Sequence, residues 1–163
     1  MLVLKSFQVA ARRHERVNPS LRQIGKTTIQ HSPMYHSHAP SSDLIVAGLK
    51  TLLDQHVNER VVVVGATCTG KSTMLAQIPG ARDQDKEVFP KLTPEEKAYV
   101  CQEPWTEEIG RTMTRLTRER VLTEPGKPVF STVVLDADFV ILLKISDKLL
   151  AERVAERKVN FTD

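Results

Sequence analysis

The feature that most constrains the fold is a run of four valines, Val61–Val64, followed directly by a glycine-containing loop. Valine is β-branched, and a run without polar alternation is typical of a strand covered on both faces, as in a parallel sheet. The residues after the loop suit a helix that starts at Gly70 or Lys71 and runs to about Ile78, where a Pro-Gly pair stops it. The sequence therefore predicts a strand, a loop and a helix in immediate succession.

The loop between this strand and this helix fits the pattern GxxxxGK[ST]. Its residues are Gly65, Ala66, Thr67, Cys68, Thr69, Gly70, Lys71 and Ser72. The two glycines allow backbone conformations and close approaches that a side chain would block. The backbone amides of the loop can then turn inward and surround an anion at the start of the helix.

The residues at the end of the loop supply polar groups for a phosphorylated ligand. Lys71 would place a positive charge on the outer phosphates, the Ser72 hydroxyl is a ligand for Mg²⁺, and Thr73 is expected beside the α-phosphate. The plain alternative is a glycine turn with a chance lysine, and the flanking strand and helix argue against it. The loop therefore predicts a nucleoside triphosphate site, with ATP and Mg²⁺ as cofactors.

Strand-like and helix-like segments alternate along the rest of the chain. Helices are expected from Ser41 or Ser42 to about His56, after Thr93, after Thr106 and from Asp147 to about Lys158, and apolar strand-like runs cover Val129 to Leu135 and Phe139 to Ile145. This alternation predicts an α/β domain with a parallel sheet and flanking helices. We expect that domain over residues 42–163, after a basic, flexible extension over residues 1–41.

The net charge of +3 is distributed unevenly along the chain. Residues 1–42 carry +5, whereas the remainder, with 17 basic and 19 acidic residues, carries −2. The basic footprint of a nucleic-acid-binding domain is therefore missing from the expected domain. The longest apolar runs have four or five residues, far fewer than the ~20 of a membrane span. We expect neither a nucleic-acid partner nor a membrane partner.

The cysteine content and the first residues bear on the compartment. Cys68 and Cys101 cannot form a disulfide framework, and their spacing matches no zinc pattern, so we expect a reducing, cytoplasmic environment. The first 16 residues have a helical apolar side that includes Val3, Phe7 and Ala10. Such an acid-poor start is also a feature of organelle transit peptides. A mobile arm, or residues upstream of the natural start, are the alternatives.

Three later segments bear on the class of the nucleotide site. Asp83-Gln84-Asp85 follows the first helix, DFVILLKIS covers Asp138 to Ser146, and LLAERVAER covers Leu149 to Arg157. With the loop, they make the chain resemble the P-loop NTPase superfamily, and within it the small-molecule and nucleoside kinases (shikimate-kinase-like and adenylate-kinase-like). The resemblance covers roughly residues 60–158 and implies the P-loop NTPase fold.

The resemblance also implies roles for individual residues. It implies that Asp83 and Asp85 hold Mg²⁺ and the acceptor hydroxyl, and that Arg153 and Arg157 close over ATP. The alternatives are a solvated turn for the two aspartates and guanidinium groups that merely extend to solvent for the two arginines. Asp136, which follows an apolar run in the manner of a Walker B aspartate, is a rival ligand for Mg²⁺.

The long helix after Thr106 carries residues that could serve either packing or binding. Arg111, Arg115 and Arg118 form a basic stripe opposite its apolar stripe, and this stripe is either a solvated face or an anion contact. Trp105, next to a proline, is expected to be a packing anchor and not a platform that stacks on a base.

The chain departs from the family in length. Only 98 residues follow Gly65, whereas family members continue past the lid into a further strand and a closing helix. We therefore expect either a fragment, truncated at its C-terminal end, or a reduced member that lacks part of the sheet. Either would leave a sheet edge that a second copy or a missing segment could cover, which makes a homo-oligomer an open expectation.

The expected function is an ATP-dependent kinase that transfers the γ-phosphate to a hydroxyl of a small metabolite or nucleoside. Lys71, Asp83, Asp85, Arg153 and Arg157 are the expected catalytic residues, and Ser72, Asp85 and Asp136 are the expected metal ligands. One alternative is a nucleotide-binding or regulatory module without turnover. The other is an isopentenyltransferase, whose loop is similar but whose downstream substrate domain is missing from this chain.

Overall fold

The computed structural model describes residues 7–13 and 42–159. Its strands are β1 (Phe7–Arg13), β2 (Val61–Val64), β3 (Arg82–Asp83), β4 (Val129–Ser131) and β5 (Phe139–Ile145). Its helices are α1 (Ser42–Gln55), α2 (Lys71–Leu75), α3 (Gln84–Val88), α4 (Pro94–Val100), α5 (Glu107–Arg120) and α6 (Asp147–Val159), with a short 3₁₀ helix (Phe89–Lys91) between α3 and α4. Among the described helices, none has the length and apolar character that crossing a membrane requires.

The five strands form one sheet in the order β1-β5-β2-β4-β3. β2 pairs in parallel with both β4 and β5, and β3 pairs in parallel with β4. The predicted α/β class with a parallel sheet and flanking helices is therefore confirmed. Because the four strands β2 to β5 run in one direction, their carboxyl ends meet at one edge of the sheet.

The valines of β2 explain why this strand lies in the interior of the sheet. All four are buried, as expected for a strand covered on both faces. Side chains alternate between faces along a strand. Val62 and Val64 accordingly belong to the cluster that includes buried residues of α3, α4 and α5, while Val61 and Val63 belong to the cluster that includes those of α1 and α2. The sheet thus lies between two helical layers.

The structure differs from the expectation for the first residues. β1 pairs antiparallel with β5 along its whole length, from Phe7 opposite Ile145 to Arg13 opposite Phe139. The helical pattern predicted there is therefore wrong for residues 7–13. Phe7, Val9 and Ala11 also fit a period of two, and pairing with β5 satisfies backbone groups that a helix would satisfy locally. The rest of the predicted extension, residues 1–6 and 14–41, lies outside the described residues.

Several helix starts form as the sequence predicts. Thr93 and Glu96 make a complete capping box at α4, and the Thr106 side chain accepts from the backbone N–H of Ile109 at α5. α2 is shorter than expected, because it ends at Leu75 and turns follow up to Gly80, whose φ is 75°. The local signals fix where these helices begin more firmly than where they end.

The apolar run from Val129 to Leu135 is not one strand. β4 ends at Ser131, which is paired with the last residue of β2, Val64. Its hydroxyl then accepts a hydrogen bond from the backbone N–H of Val133 at 3.0 Å, which closes a turn. Asp136 therefore does not end a strand, contrary to the Walker B interpretation.

Candidate functional site

The loop of residues 65–70 follows the carboxyl end of β2 and has an unusual backbone. Cys68 and Gly70 both have positive φ angles, 67° and 92°. Left-handed residues of this kind let successive N–H groups converge into an anion-binding concavity. Thr69 is buried, and its hydroxyl donates to the backbone oxygen of Ala66 at 2.8 Å, which braces the loop from inside.

The first glycine of the loop is required by close packing. A Cβ at Gly65 would lie 2.7 Å from Thr69 Oγ1 and 3.2 Å from Leu143 Cβ, which belongs to β5. The backbone N–H of Gly65 also donates to the backbone oxygen of Ser131 at 3.1 Å, so the loop is fixed to the end of β4. The glycine thus allows the loop to lie directly on the sheet.

Gly65→Ala is expected to destabilise the chain by about 1–3 kcal/mol through overpacking, a fall in Tm of about 3–10 °C for a domain of this size. In a Thr69→Ala background, which lacks the oxygen 2.7 Å from the new Cβ, the same substitution should cost less. Thermal unfolding measures both effects. Gly48→Ala in α1 is the control, because a Cβ there meets nothing within 4 Å. Equal Tm values for Gly65→Ala and the parent chain would contradict the packing argument.

The amine of Lys71 lies over the loop. Its Nζ donates to the backbone oxygens of Gly65 and Ala66 at 2.6 and 2.8 Å. Burial lowers the pKa of Lys71, and the carboxylates of Asp85 and Asp83 oppose that shift because they favour the charged amine. The two carboxylates are therefore close enough to the Lys71 amine to stabilise its positive charge.

The two aspartates lie where β3 turns into α3. Asp83 is the N-cap of α3, and its Oδ1 accepts from the backbone N–H of Asp85 at 2.9 Å. The Asp85 side chain accepts through Oδ1 from the Gln84 side chain at 3.1 Å. The solvated turn that was one alternative for these aspartates is thus an ordered helix cap at the carboxyl edge of the sheet. Both carboxylates line the same cavity as Lys71.

The arginines of α6 reach back to the loop. Arg153 Nη1 donates to the backbone oxygen of Cys68 at 3.2 Å, and Arg157 Nη1 lies 3.8 Å from Cys68 Sγ. α6 is held in place by the buried Leu149 and by Ser146, whose hydroxyl accepts from the Leu149 backbone N–H at 3.3 Å. Both guanidinium groups therefore contact the loop in place of merely extending to solvent.

These groups surround one cavity of about 510 Å³. Of the residues predicted from the sequence, it is lined by Thr67, Cys68, Gly70, Lys71, Ser72, Thr73, Asp83, Asp85, Arg153 and Arg157. Gly65, Ala66 and Thr69 do not line the cavity, but their hydrogen bonds support the loop and the Lys71 amine. Side chains about 70 residues apart in sequence therefore converge at one place, as expected for the carboxyl edge of a parallel sheet.

The remaining predicted metal ligand, Asp136, lies elsewhere. Its Oδ2 accepts from Arg60 Nη1 at 2.9 Å, and Arg60 also pairs with Asp138 at 2.8 Å. Hydrogen bonds to Asp138 and then Asp136 raise the pKa of Arg60. Because Arg60 immediately precedes β2, this network is at the amino edge of the sheet, opposite the loop. The geometry therefore excludes Asp136 as a metal ligand of the cavity.

Sequence reasoning missed several residues that line the cavity. They are Gln84, Thr132, Glu156, Leu75 and Phe130. A signal existed for Glu156, which lies three residues after Arg153 and so shares its face of α6. A weaker signal existed for Thr132, since Ser131 and Thr132 interrupt an apolar run. Nothing in the sequence around Gln84 indicates that its side chain is buried.

The basic stripe of α5 does not reach the cavity. Arg111 pairs with Glu107 at 2.6 Å and Arg115 pairs with Glu119 at 3.1 Å. The partners of each pair are one turn apart on the exposed face of α5. These pairs favour the solvated-face alternative. Trp105 is 60% exposed, so its interpretation as a packing anchor is wrong. Its Nε1 would lie 3.3 Å from a Cβ at Gly110, and the rest of its ring faces outward.

The donor set of the cavity bears on which ligands it fits. The Ser72 hydroxyl and the Asp83 and Asp85 carboxylates are hard oxygen donors, the type that Mg²⁺ takes, and Mg²⁺ is usually bound through one or two carboxylates plus substrate phosphates. Lys71, Arg153 and Arg157 add positive charge to the same cavity. Comparison of the chain with protein-family models, with curated proteins and with solved structures finds no match.

Proposed function

We propose that this chain is an ATP-binding P-loop protein that acts as a kinase, with the P-loop NTPase fold. In this proposal it transfers the γ-phosphate of ATP to a hydroxyl of a small metabolite or nucleoside. The observation that supports the proposal most is that one cavity beside a loop of the GxxxxGK[ST] pattern is lined by three cations, three carboxylates and several hydroxyls, that of Ser72 among them. In open parallel α/β sheets, ligands bind outside the carboxyl ends of the strands.

The cations of the cavity would bind and hold the phosphates of ATP. Lys71 is anchored over the loop by two backbone oxygens, which places its charge beside the loop amides. Arg153 and Arg157 approach the same loop from α6. Phosphoryl transfer depends mainly on positioning and on neutralising charge. The two groups of cations would supply both, from opposite sides of the transferred group.

The carboxylates would act on the metal and on the acceptor. Mg²⁺ would supply positive charge that neutralises the charge developing on the phosphates. Ser72 and Asp85 are the residues that would hold it, in keeping with their oxygen donors. Asp83, which is fixed as the cap of α3, would orient the acceptor hydroxyl. The acceptor would therefore enter beside the β3–α3 turn.

Transfer from labelled ATP tests the proposal directly. The full chain is incubated with γ-labelled ATP, Mg²⁺ and a panel of hydroxylated metabolites and nucleosides, and labelled products are separated by chromatography. Calorimetric titration with ATP is run in parallel. We expect ATP binding, and label on at least one hydroxyl compound.

The other outcomes separate the competing functions. Binding of ATP without label on any acceptor would favour the nucleotide-binding module over the kinase. Release of diphosphate from a prenyl diphosphate, with no transfer from ATP, would favour the isopentenyltransferase. Absence of binding to any nucleoside triphosphate would contradict the whole assignment.

A further inference from the structure

Gln84 lies between the two cavity aspartates and is itself only 5% exposed. Its Nε2 donates to Asp85 Oδ1 at 3.1 Å and to Thr132 Oγ1 at 2.9 Å. Its Oε1 accepts from the backbone N–H of Thr132 at 3.0 Å and from the hydroxyl of Ser131. A primary amide offers two N–H donors and two acceptor lone pairs. All four are therefore used, which leaves the side chain a single orientation.

The anchors of Gln84 connect it to the loop. Ser131 ends β4, and its backbone oxygen accepts from the N–H of Gly65, the first residue of the loop. A continuous path of hydrogen bonds thus runs from Gly65 through Ser131 and Gln84 to Asp85. Thr132, the next residue after Ser131, holds Gln84 through two further hydrogen bonds, so the connection does not depend on the Ser131 hydroxyl alone.

The bond to Asp85 differs from the other three. Ser131, Thr132 and Gln84 satisfy each other in or beside the core, where an unpaired polar group is costly. Asp85 is exposed, so water could satisfy its carboxylate equally well. The bond from Gln84 therefore adds little to the core. Its main consequence is to restrict an exposed carboxylate to one position beside the loop.

We propose that Gln84 is a positioning residue that holds the Asp85 carboxylate in register with the loop, so that it engages the metal of Mg·ATP. The inference rests on the proposed function of the cavity. It assigns to Gln84 no contact with the nucleotide and no proton transfer. Groups that orient metal-binding side chains typically change metal affinity by about 10- to 100-fold when they are removed.

The first measurement needs no nucleotide. The side-chain amide of Gln84 is followed by ¹⁵N-edited NMR in the parent chain and in Asp85→Ala, a change at an exposed position. We expect the Gln84 amide resonances to move when the carboxylate is removed. Unchanged resonances would overturn the inference, because Gln84 would then not hold Asp85 in solution.

The second measurement compares two variants that both lose a buried hydrogen bond. Gln84→Met removes the donor to Asp85, whereas Ser131→Ala removes a partner of Gln84 on β4 and leaves that donor in place. ATP affinity is titrated with Mg²⁺ and with a chelator. We expect Mg²⁺ to raise the ATP affinity of Gln84→Met about 10- to 100-fold less than it raises that of the parent chain. Ser131→Ala should keep the full increase.

The outcomes distinguish this inference from the proposed function. Equal losses in Gln84→Met and Ser131→Ala would show a purely structural role and would overturn the inference alone. If the parent chain gains no ATP affinity from Mg²⁺, the magnesium part of the proposed function fails, and the inference is overturned with it. If Gln84→Met does not fold, an unchanged Gln84 resonance in Asp85→Ala still overturns the inference.

Discussion

Lys71→Ala is expected to lower the affinity for Mg·ATP by about 10- to 150-fold while the chain stays folded. Hydrogen bonds to charged groups contribute about 1.5–3 kcal/mol, and each 1.4 kcal/mol corresponds to a factor of about ten in affinity. The Lys71 amine donates to the loop oxygens Gly65 O and Ala66 O, and Lys71 belongs to neither core cluster. Calorimetric titration at fixed ionic strength measures the affinity, and thermal unfolding checks the fold.

Lys86→Ala is the matched control for this prediction. Lys86 follows Asp85 directly but is exposed and does not line the cavity, so its removal changes the net charge equally without touching the site. The control should bind Mg·ATP as the parent chain does. An equal loss in both variants would indicate long-range charge alone, and no loss in Lys71→Ala would contradict the nucleotide site.

The parts of the fold that could be predicted are those that local chemistry determines. Val61–Val64 form a strand that is buried on both faces because all four side chains are apolar. Thr93 starts a helix because its side chain and that of Glu96 cap the first backbone N–H groups. The convergence of the aspartates and α6 arginines on the loop also followed from the sequence. That expectation combined the resemblance to P-loop kinases with the general rule that loops after parallel strands emerge at one edge.

The parts that could not be predicted depend on pairing between distant segments. The length of β4 is set by its register with β2, which stops at Val64, so a longer apolar run did not lengthen the strand or bring Asp136 to the carboxyl edge. β1 forms because β5 offers an edge, and the sequence of residues 7–13 fits both a helix and a strand, so it does not reveal that edge. Gln84 is buried because β4 supplies acceptors and donors for it, and a glutamine between two aspartates gives no sign of that.

In the proposed kinase we expect Arg153 to act in transfer more than in ATP binding. Its Nη1 lies 3.2 Å from the position of a Cβ at Gly70 and donates to the backbone oxygen of Cys68. The guanidinium group therefore contacts the end of the loop, whereas the Lys71 amine contacts its first two residues. An arginine in such a place can follow the charge that develops on a phosphoryl group as the bond to it breaks.

Arg153→Ala is therefore expected to lower the rate of γ-phosphate transfer by about 10³-fold or more, the effect of removing a cation from the transferred group. The affinity for ATP should fall far less, because the loop and Lys71 remain. Label transfer to the best acceptor of the panel, or to water, gives the rate, and titration gives the affinity. Arg115→Ala on α5 is the control, since it removes only an exposed ion pair with Glu119. A loss of ATP affinity with an unchanged transfer rate at saturating ATP would mean that Arg153 binds the ground state as strongly as the transition state, which would contradict its role in transfer.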